Sequence, residues 1–210
     1  MIAIINYGMG NLRSVLNAFR SLSLDARIVD HPAGLVDASG IVLPGVGAFG
    51  NGIKQVRDLG FDEMLEREVR ERGKPFLGLC LGMHMIATTG YEHGEHRGLG
   101  WVQGTVERLA EASPSGDALR VPHIGWNSVR VADSNRLFAN TGMEPTFYFV
   151  HSYALRPVRS EIVSGWCEYG TEFAAAVEVD NILATQFHPE KSQRAGLQLL
   201  SNFAKLIGSD

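Results

Sequence analysis

Apolar residues in the first half of the chain fall alternately into short continuous runs and helical spacings. Ile2-Ala3-Ile4-Ile5 is a run of the first kind, the pattern of a strand buried on both faces, and it stops at the turn residues Asn6 to Gly10. Leu12, Val15, Leu16 and Phe19 then recur at the spacing of an amphipathic helix that Asn11 would cap and that ends near Leu22. Ile28-Val29 and Ile41-Val42-Leu43 are expected to be further strands, the second running into Pro44-Gly45-Val46-Gly47. Met64, Leu65 and Val69 share one face of a helix over Phe61 to Arg72, and Lys74-Pro75 launches Phe76-Leu77-Gly78-Leu79 as another buried strand. This alternation predicts a parallel sheet covered by helices on both sides.

The second half changes character. Thr105 to Leu109, Ser128 to Val131, Phe147 to Val150, Ile162 to Trp166, Ala174 to Val179 and Ile182 to Gln186 read as short strands with few helices between them, hence hairpins or a mixed sheet. A last helix from about Arg194 to Ile207 gathers Leu197, Leu200, Phe203, Ala204 and Ile207 on one side. Ala112 to Gly116 is expected to be an exposed loop, and no repeat is visible. A length of 210 residues with 45% hydrophobic and 20% charged positions suits one globular domain, 1–210, with a real core. The net charge of −4 argues against a nucleic-acid or anionic-membrane partner. No apolar run approaches a membrane span and no basic leader precedes one. The two cysteines, Cys80 and Cys167, lack C-x-x-C spacing, so neither a disulfide framework nor a zinc site is expected, and a reducing cytoplasm fits.

Candidate chemistry concentrates where Gly78-Leu79-Cys80-Leu81-Gly82 joins a buried strand to a helix start. Glycines two positions either side of a nucleophile permit a sharp reversal that holds the side chain out over the sheet edge. Unpaired N–H groups at the next helix start would favour a thiolate, and the Leu81 N–H could bind a developing oxyanion. On the turn alone, Cys80 reads equally as a small core residue. A thiolate needs a base, and among seven histidines His188 ends a core strand, locked by Pro189, with Glu190 two residues on to orient an imidazolium. His-Pro-Glu alone is as readily a capped turn.

The elbow, the His-Pro-Glu and the loop Pro44-Gly45-Val46-Gly47-Ala48-Phe49 together resemble a class I glutamine amidotransferase. Asn6-Tyr7-Gly8-Met9-Gly10-Asn11-Leu12, Val121-Pro122-His123-Ile124-Gly125-Trp126-Asn127, Phe149-Val150-His151-Ser152-Tyr153 and Thr185-Gln186-Phe187-His188-Pro189-Glu190-Lys191-Ser192 extend the resemblance over essentially the whole chain. It is nearest to the glutaminase subunits that serve histidine biosynthesis. The resemblance implies an α/β, flavodoxin-like three-layer sandwich with a central mixed, mostly parallel sheet. It also implies a triad of Cys80, His188 and Glu190 that turns glutamine into glutamate and ammonia through a thioester. Gly45, Val46 and Gly47 would join Leu81 in an oxyanion hole. Glu92 would meet the substrate amine, and the backbone at Ser152 and Tyr153 its carboxylate end. No cofactor or metal is implied. The implied partner is a (βα)8-barrel cyclase in a heterodimer, docked at Pro122, His123, Trp126 and Asn127, with Tyr148 and Lys191 near an ammonia passage.

One position departs from the family's pattern: four residues after the nucleophile the usual Gln is His84, which could still donate one hydrogen bond to substrate. That departure admits a paralogue feeding another amidating synthase, acting on a nucleotide sugar or surface glycan. A stand-alone cysteine hydrolase and a non-catalytic regulatory subunit are the other readings. The Gly-rich stretches at Tyr7–Asn11 and Pro44–Gly50 lack the endings of nucleotide-binding loops. His93-Gly94-Glu95-His96 shows no third metal ligand, and Cys167 reads as packing.

Overall fold

The computed structural model describes residues 1–132 and 135–208. The first half runs β1 (Ile2–Ile5), α1 (Leu12–Ser21), β2 (Ala26–Val29), β3 (Gly40–Gly45), α2 (Phe49–Asp58), α3 (Phe61–Leu65), β4 (Phe76–Cys80) and α4 (Leu81–Met85). The second runs β5 (Ala87–Gly90), β6 (His96–Arg97), β7 (Val102–Arg108), β8 (His123–Ser128), β9 (Arg130–Val131), β10 (Thr146–His151), β11 (Tyr153–Pro157), β12 (Val163–Tyr169), β13 (Thr171–Val179), β14 (Ile182–Thr185) and α5 (Gln193–Ile207).

The main sheet has eight strands in the order β2-β1-β3-β4-β14-β13-β12-β9. Pairing is parallel from β2 to β14 and antiparallel beyond it. This is the mixed sheet expected, and its continuous apolar strands are explained by burial on both faces. Side chains alternate between two cores, as a period of two requires. Ala3, Ile5, Ile41, Leu43 and Phe76 face one core with Phe49, Ile53, Phe61 and Leu65. Ile2, Ile4, Val42, Leu77 and Leu183 face the other with Phe19, Leu199, Leu200 and Phe203. Helices α1 and α5 therefore cover one face, and α2 with α3 the other, giving three layers. A four-stranded sheet, β11-β7-β5-β6, and the antiparallel pair β8-β10 flank the main sheet. Among the described residues no helix is long and apolar enough to cross a membrane.

Several boundaries differ from the sequence reading. Asn11 sits at the cap position of α1 but makes no side-chain cap bond. The helix expected over Phe61 to Arg72 ends as α3 at Leu65 and continues as a π-helical turn over Glu66–Glu71. Pro44 and Gly45 belong to β3 and not to the turn that follows it. The strand expected over Ser128 to Val131 is divided between the end of β8 and β9, with buried Val129 between them.

The π-helical turn buries a carboxylate that anchors the strand leading to Cys80. Glu68 has a fully buried side chain and accepts from Arg67 Nε at 3.1 Å, Arg72 Nη1 at 3.0 Å and Lys74 Nζ at 2.8 Å. Lys74, immediately before Pro75 and β4, also donates to the Leu35 carbonyl at 2.8 Å. Burial alone would raise the Glu68 pKa, but Lys74, Arg67 and Arg72 outweigh it and hold the carboxyl below its ordinary value. Glu68→Gln is expected to destabilise the fold by about 2 kcal/mol, less than loss of a fully buried pair because Arg67 and Arg72 are half exposed. A folded-state value below the unfolded one stabilises above the ordinary carboxylate range and is lost as pH falls through the depressed value. Urea unfolding of both proteins should therefore show the largest gap near neutrality and a closing gap in acid.

Candidate active site

Strand β4 delivers Cys80 to the C-terminal edge of the sheet, and the residue takes φ 52° and ψ −103° there. A left-handed φ at a non-glycine residue is unfavourable by about 1–3 kcal/mol and persists only where packing fixes it. The flanking glycines supply that packing. A Cβ on Gly78 would lie 2.8 Å from the Gly82 carbonyl oxygen, and one on Gly82 would overlap the Leu43 carbonyl oxygen. The tight turn thus exists because β4, the first turn of α4 and β3 touch backbone to backbone. α4 spans only Leu81–Met85, so its dipole is shorter than the sequence reading assumed.

Parallel pairing of β14 with β4, Thr185 opposite Leu79, brings the segment after β14 beside the elbow. His188 Nδ1 is 2.8 Å from Glu190 Oε1, and these side chains are 4% and 2% exposed. Short bonds hold the pair in place: the His188 N–H donates to the Tyr148 carbonyl at 3.0 Å, and Ser192 Oγ donates to the His188 carbonyl at 2.6 Å. Burial works to lower the His188 pKa, but the Cys80 sulfur and the Glu190 carboxylate outweigh it and push it up to about 10. Among the described residues His188 Nε2 and Glu190 Oε2 have no hydrogen-bond partner.

The other histidines nearby behave oppositely because no carboxylate reaches them. Burial lowers His84 to about 4 and His123 to about 4. Burial likewise takes His151 to about 3, the Tyr153 carbonyl opposing it. Neutral imidazoles thus surround one cationic one. His151 Nδ1 donates to the Tyr153 carbonyl at 2.8 Å, so its Nε2 accepts from His123 Nδ1 at 3.0 Å, which leaves His123 Nε2 to accept from Asn127 at 3.4 Å.

A cavity of about 490 Å³ opens over Cys80, lined by Val46, Gly47, Leu81, His84, Glu92, Pro122, Ser152 and Tyr153. Val46 and Gly47, the latter at φ 100°, stand at its wall. Gly45 does not line it: it pairs with Cys80 inside the sheet, where a Cβ would overlap the Tyr7 hydroxyl. Glu92 is half-buried, and its Oε2 accepts the Phe49 N–H at 2.7 Å at the start of α2, leaving its other oxygen for the cavity. His93 lines the same cavity, whereas His96 packs on Phe49.

The expected docking residues divide by strand alternation. Along β8, Ile124 and Trp126 point out, 60% and 48% exposed, while His123 is buried between Phe149 and Tyr169. His123 thus lies beneath that face and not on it, a correction that the alternation of β8 explains. Pro122 reaches the cavity. Trp126 packs edge-on against Tyr148 across the β8-β10 pair, and Lys191 Nζ stands 5.8 Å from the Tyr148 ring centre. Cys167 is buried on β12, away from the cavity lining. Gln186 and His151 were missed. Gln186 stands two residues before His188 in the segment after β14, and that closeness in sequence to the predicted base is the signal that could have found it.

A strained cysteine elbow at a parallel-strand edge, joined to a buried His–Glu pair at an open cavity, is an arrangement that suits an amidotransferase, and the class-I glutamine amidotransferase model matches residues 3–206: the chain belongs to this family. It is 44% identical over 207 residues to imidazole glycerol phosphate synthase subunit HisH of Syntrophotalea carbinolica, covering 98% of this chain and 100% of that one. The HisH subunit of Geobacter sulfurreducens is likewise 44% identical, with 98% of each chain covered. In fold, the chain is similar to a solved glutamine amidotransferase at TM-score 0.76 and 21% identity, covering 99% of this chain and 100% of that one. It is also similar to PurLQS from Thermotoga maritima at TM-score 0.75 and 18% identity, covering 98% of each chain.

Proposed function

We propose that this chain is the glutaminase subunit of an imidazole glycerol phosphate synthase, making ammonia from glutamine for histidine biosynthesis. The observation that carries the reading is Cys80, held at the elbow beside a His188 that the Cys80 sulfur and the buried Glu190 keep cationic, at a cavity of about 490 Å³. The Cys80 thiolate attacks the glutamine carboxamide, and the negative oxygen that forms is met by the Leu81 N–H and by an N–H of the loop Val46-Gly47 once a peptide there turns inward. His188 then gives its proton to the departing nitrogen, ammonia leaves, and a glutamyl thioester remains. Water attacks that thioester with His188 as base, and glutamate leaves. Glu92 suits the substrate ammonium, and the Ser152–Tyr153 backbone suits its carboxylate. No cofactor or metal takes part.

Ammonia loses its nucleophilicity when protonated, as it mostly is near neutral pH, so a shielded route to an acceptor site is an advantage. The exposed Ile124 and Trp126, with half-buried Tyr148 beside them and Lys191 at the edge, form an apolar face that fits a docked partner. The relatives are named as synthase subunits, which supports a partner subunit; the partner proposed is a (βα)8-barrel cyclase, and the place of work the cytoplasm. Adding the cyclase together with its substrate is expected to raise glutamate release at least tenfold over the chain alone. Equal release with and without the cyclase, or cleavage of simple esters and peptides without it, would instead mark a stand-alone cysteine hydrolase.

A further inference from the structure

Gln186 touches the Cys80 sulfur and has no part in the chemistry described so far. It follows β14, is fully buried, and its backbone N–H donates to the Ala175 carbonyl of β13 at 2.8 Å. Its side-chain Nε2 is 3.8 Å from Cys80 Sγ, and its Oε1 is 2.7 Å from His84 Nε2. An amide oxygen can only accept, so His84 donates from Nε2, and this bond turns the other end of the amide, the N–H, toward sulfur. Such an N–H favours an anionic sulfur over a neutral thiol, because the anion is the far better acceptor.

We propose that Gln186 is a further catalytic residue, an amide donor that stabilises the Cys80 thiolate, and that His84 is the positioning residue that aims it. The proposal rests on Cys80 being the glutaminase nucleophile. It also gives His84 a task separate from substrate contact. The ring stands at the cavity wall, and burial outweighs its bonds to Gln186 and the Tyr153 backbone and lowers its pKa, so it can donate to Gln186 without adding a second positive charge beside His188. The titratable groups that face the sulfur or its immediate neighbours are Tyr7 after β1, His84 on α4, His151 on β10 and His188 with Glu190 after β14, and Glu92, His93 and Tyr153 share the cavity with it. His188 supplies the countercharge, and Gln186 the neutral donor.

The test is the rate at which iodoacetamide alkylates Cys80 in the full chain assembled with its synthase partner, followed by mass spectrometry of the Cys80 peptide from pH 6 to pH 10. Gln186→Met keeps the shape and removes the donor; it is expected to slow alkylation about tenfold at pH 7, the deficit vanishing in alkali where the thiol ionises unaided. His84→Leu, which frees the amide to turn away, should show a smaller loss in the same direction, and His84→Gln, which retains a donor, should restore the wild-type profile. A Gln186→Met profile that superimposes on the wild type overturns the proposal. Should Gln186→Met fail to fold, the His84 pair decides: loss with Leu and none with Gln supports it, and no difference between them overturns it. A wild-type Cys80 that reacts no faster at pH 7 than an ordinary thiol overturns the glutaminase reading itself.

Discussion

Cys80→Ala is expected to abolish glutamine-dependent synthesis by the assembled enzyme while leaving ammonium-dependent synthesis at the wild-type rate. Removing the nucleophile of a covalent hydrolase costs on the order of 10⁴-fold or more in kcat, because the remaining groups lack the atom that forms the intermediate. The other cysteine, Cys167, cannot take over, because it is buried on β12 outside the cavity lining. The exchange removes one sulfur and leaves the turn to Gly78 and Gly82, whose packing on Leu43 and Gly82 carbonyls does not involve the side chain. The fold and the docking face should therefore survive, and ammonium supplied from solution bypasses the lost step. Steady-state assays with each nitrogen source, at a fixed cyclase concentration, measure both arms. Persisting glutamine turnover would place the nucleophile elsewhere. Joint loss of both activities would mean that Cys80 serves folding or assembly, whereas undiminished glutamine-dependent synthesis would favour the reading of the chain as a non-catalytic regulatory subunit.

How much of this was legible beforehand depends on which interactions are local in sequence. The strands buried on both faces, Ile2–Ile5 and Phe76–Cys80, announced themselves as unbroken apolar runs, and the elbow and the His188–Glu190 pair are written as short local motifs, although Leu43 and Tyr148 on other strands help to hold them. Elements whose stability comes from distant contacts did not. Helix α2 contains Gly50 and Gly52, poor helix formers, and is held by packing of Phe49, Ile53 and Val56 and by the Glu92 carboxylate on the Phe49 N–H, from 43 residues away. Strands β5 and β11 gain their pairing from β7, and β6 from β5, and all three carry too short a pattern to read alone. The helix after Phe61 was read too long because its apolar spacing continues to Val69, while Glu68 draws Arg67, Arg72 and Lys74 around itself and the backbone widens to a π turn. At the site, the role of His84 was obscure because its partner, Gln186, is 102 residues distant and only the parallel pairing of β14 with β4 joins them. His123 was placed on the docking face for a related reason: the motif gives its position, and only strand register reveals that its side chain turns inward beside His151.

Glu190→Gln should separate the two contributions a carboxylate makes to such a pair, orientation and charge. Its Oε1 accepts from His188 Nδ1, so the proton is fixed on that nitrogen and Nε2 is directed to its work. A glutamine amide can present an N–H instead, which favours the other tautomer, and in a comparable triad that error lowers kcat by about 10⁴. The charge acts on the pH profile. Cys80 and Glu190 together raise His188 to about 10, so the imidazolium persists well into alkali. Without the carboxylate that value falls, and burial, which opposes the charged ring, pulls it further down. The alkaline limb of kcat/KM for glutamine is therefore expected to move to lower pH in Glu190→Gln, on top of a loss of roughly 10²- to 10⁴-fold at the optimum. Glu190→Asp, which keeps charge but shortens the reach, should lose rate with little movement of that limb. Profiles for the three proteins, taken with the cyclase saturating, distinguish the terms. An alkaline limb that stays in place in the Gln variant would mean that the sulfur alone holds the proton on His188, and would reduce Glu190 to a means of orientation.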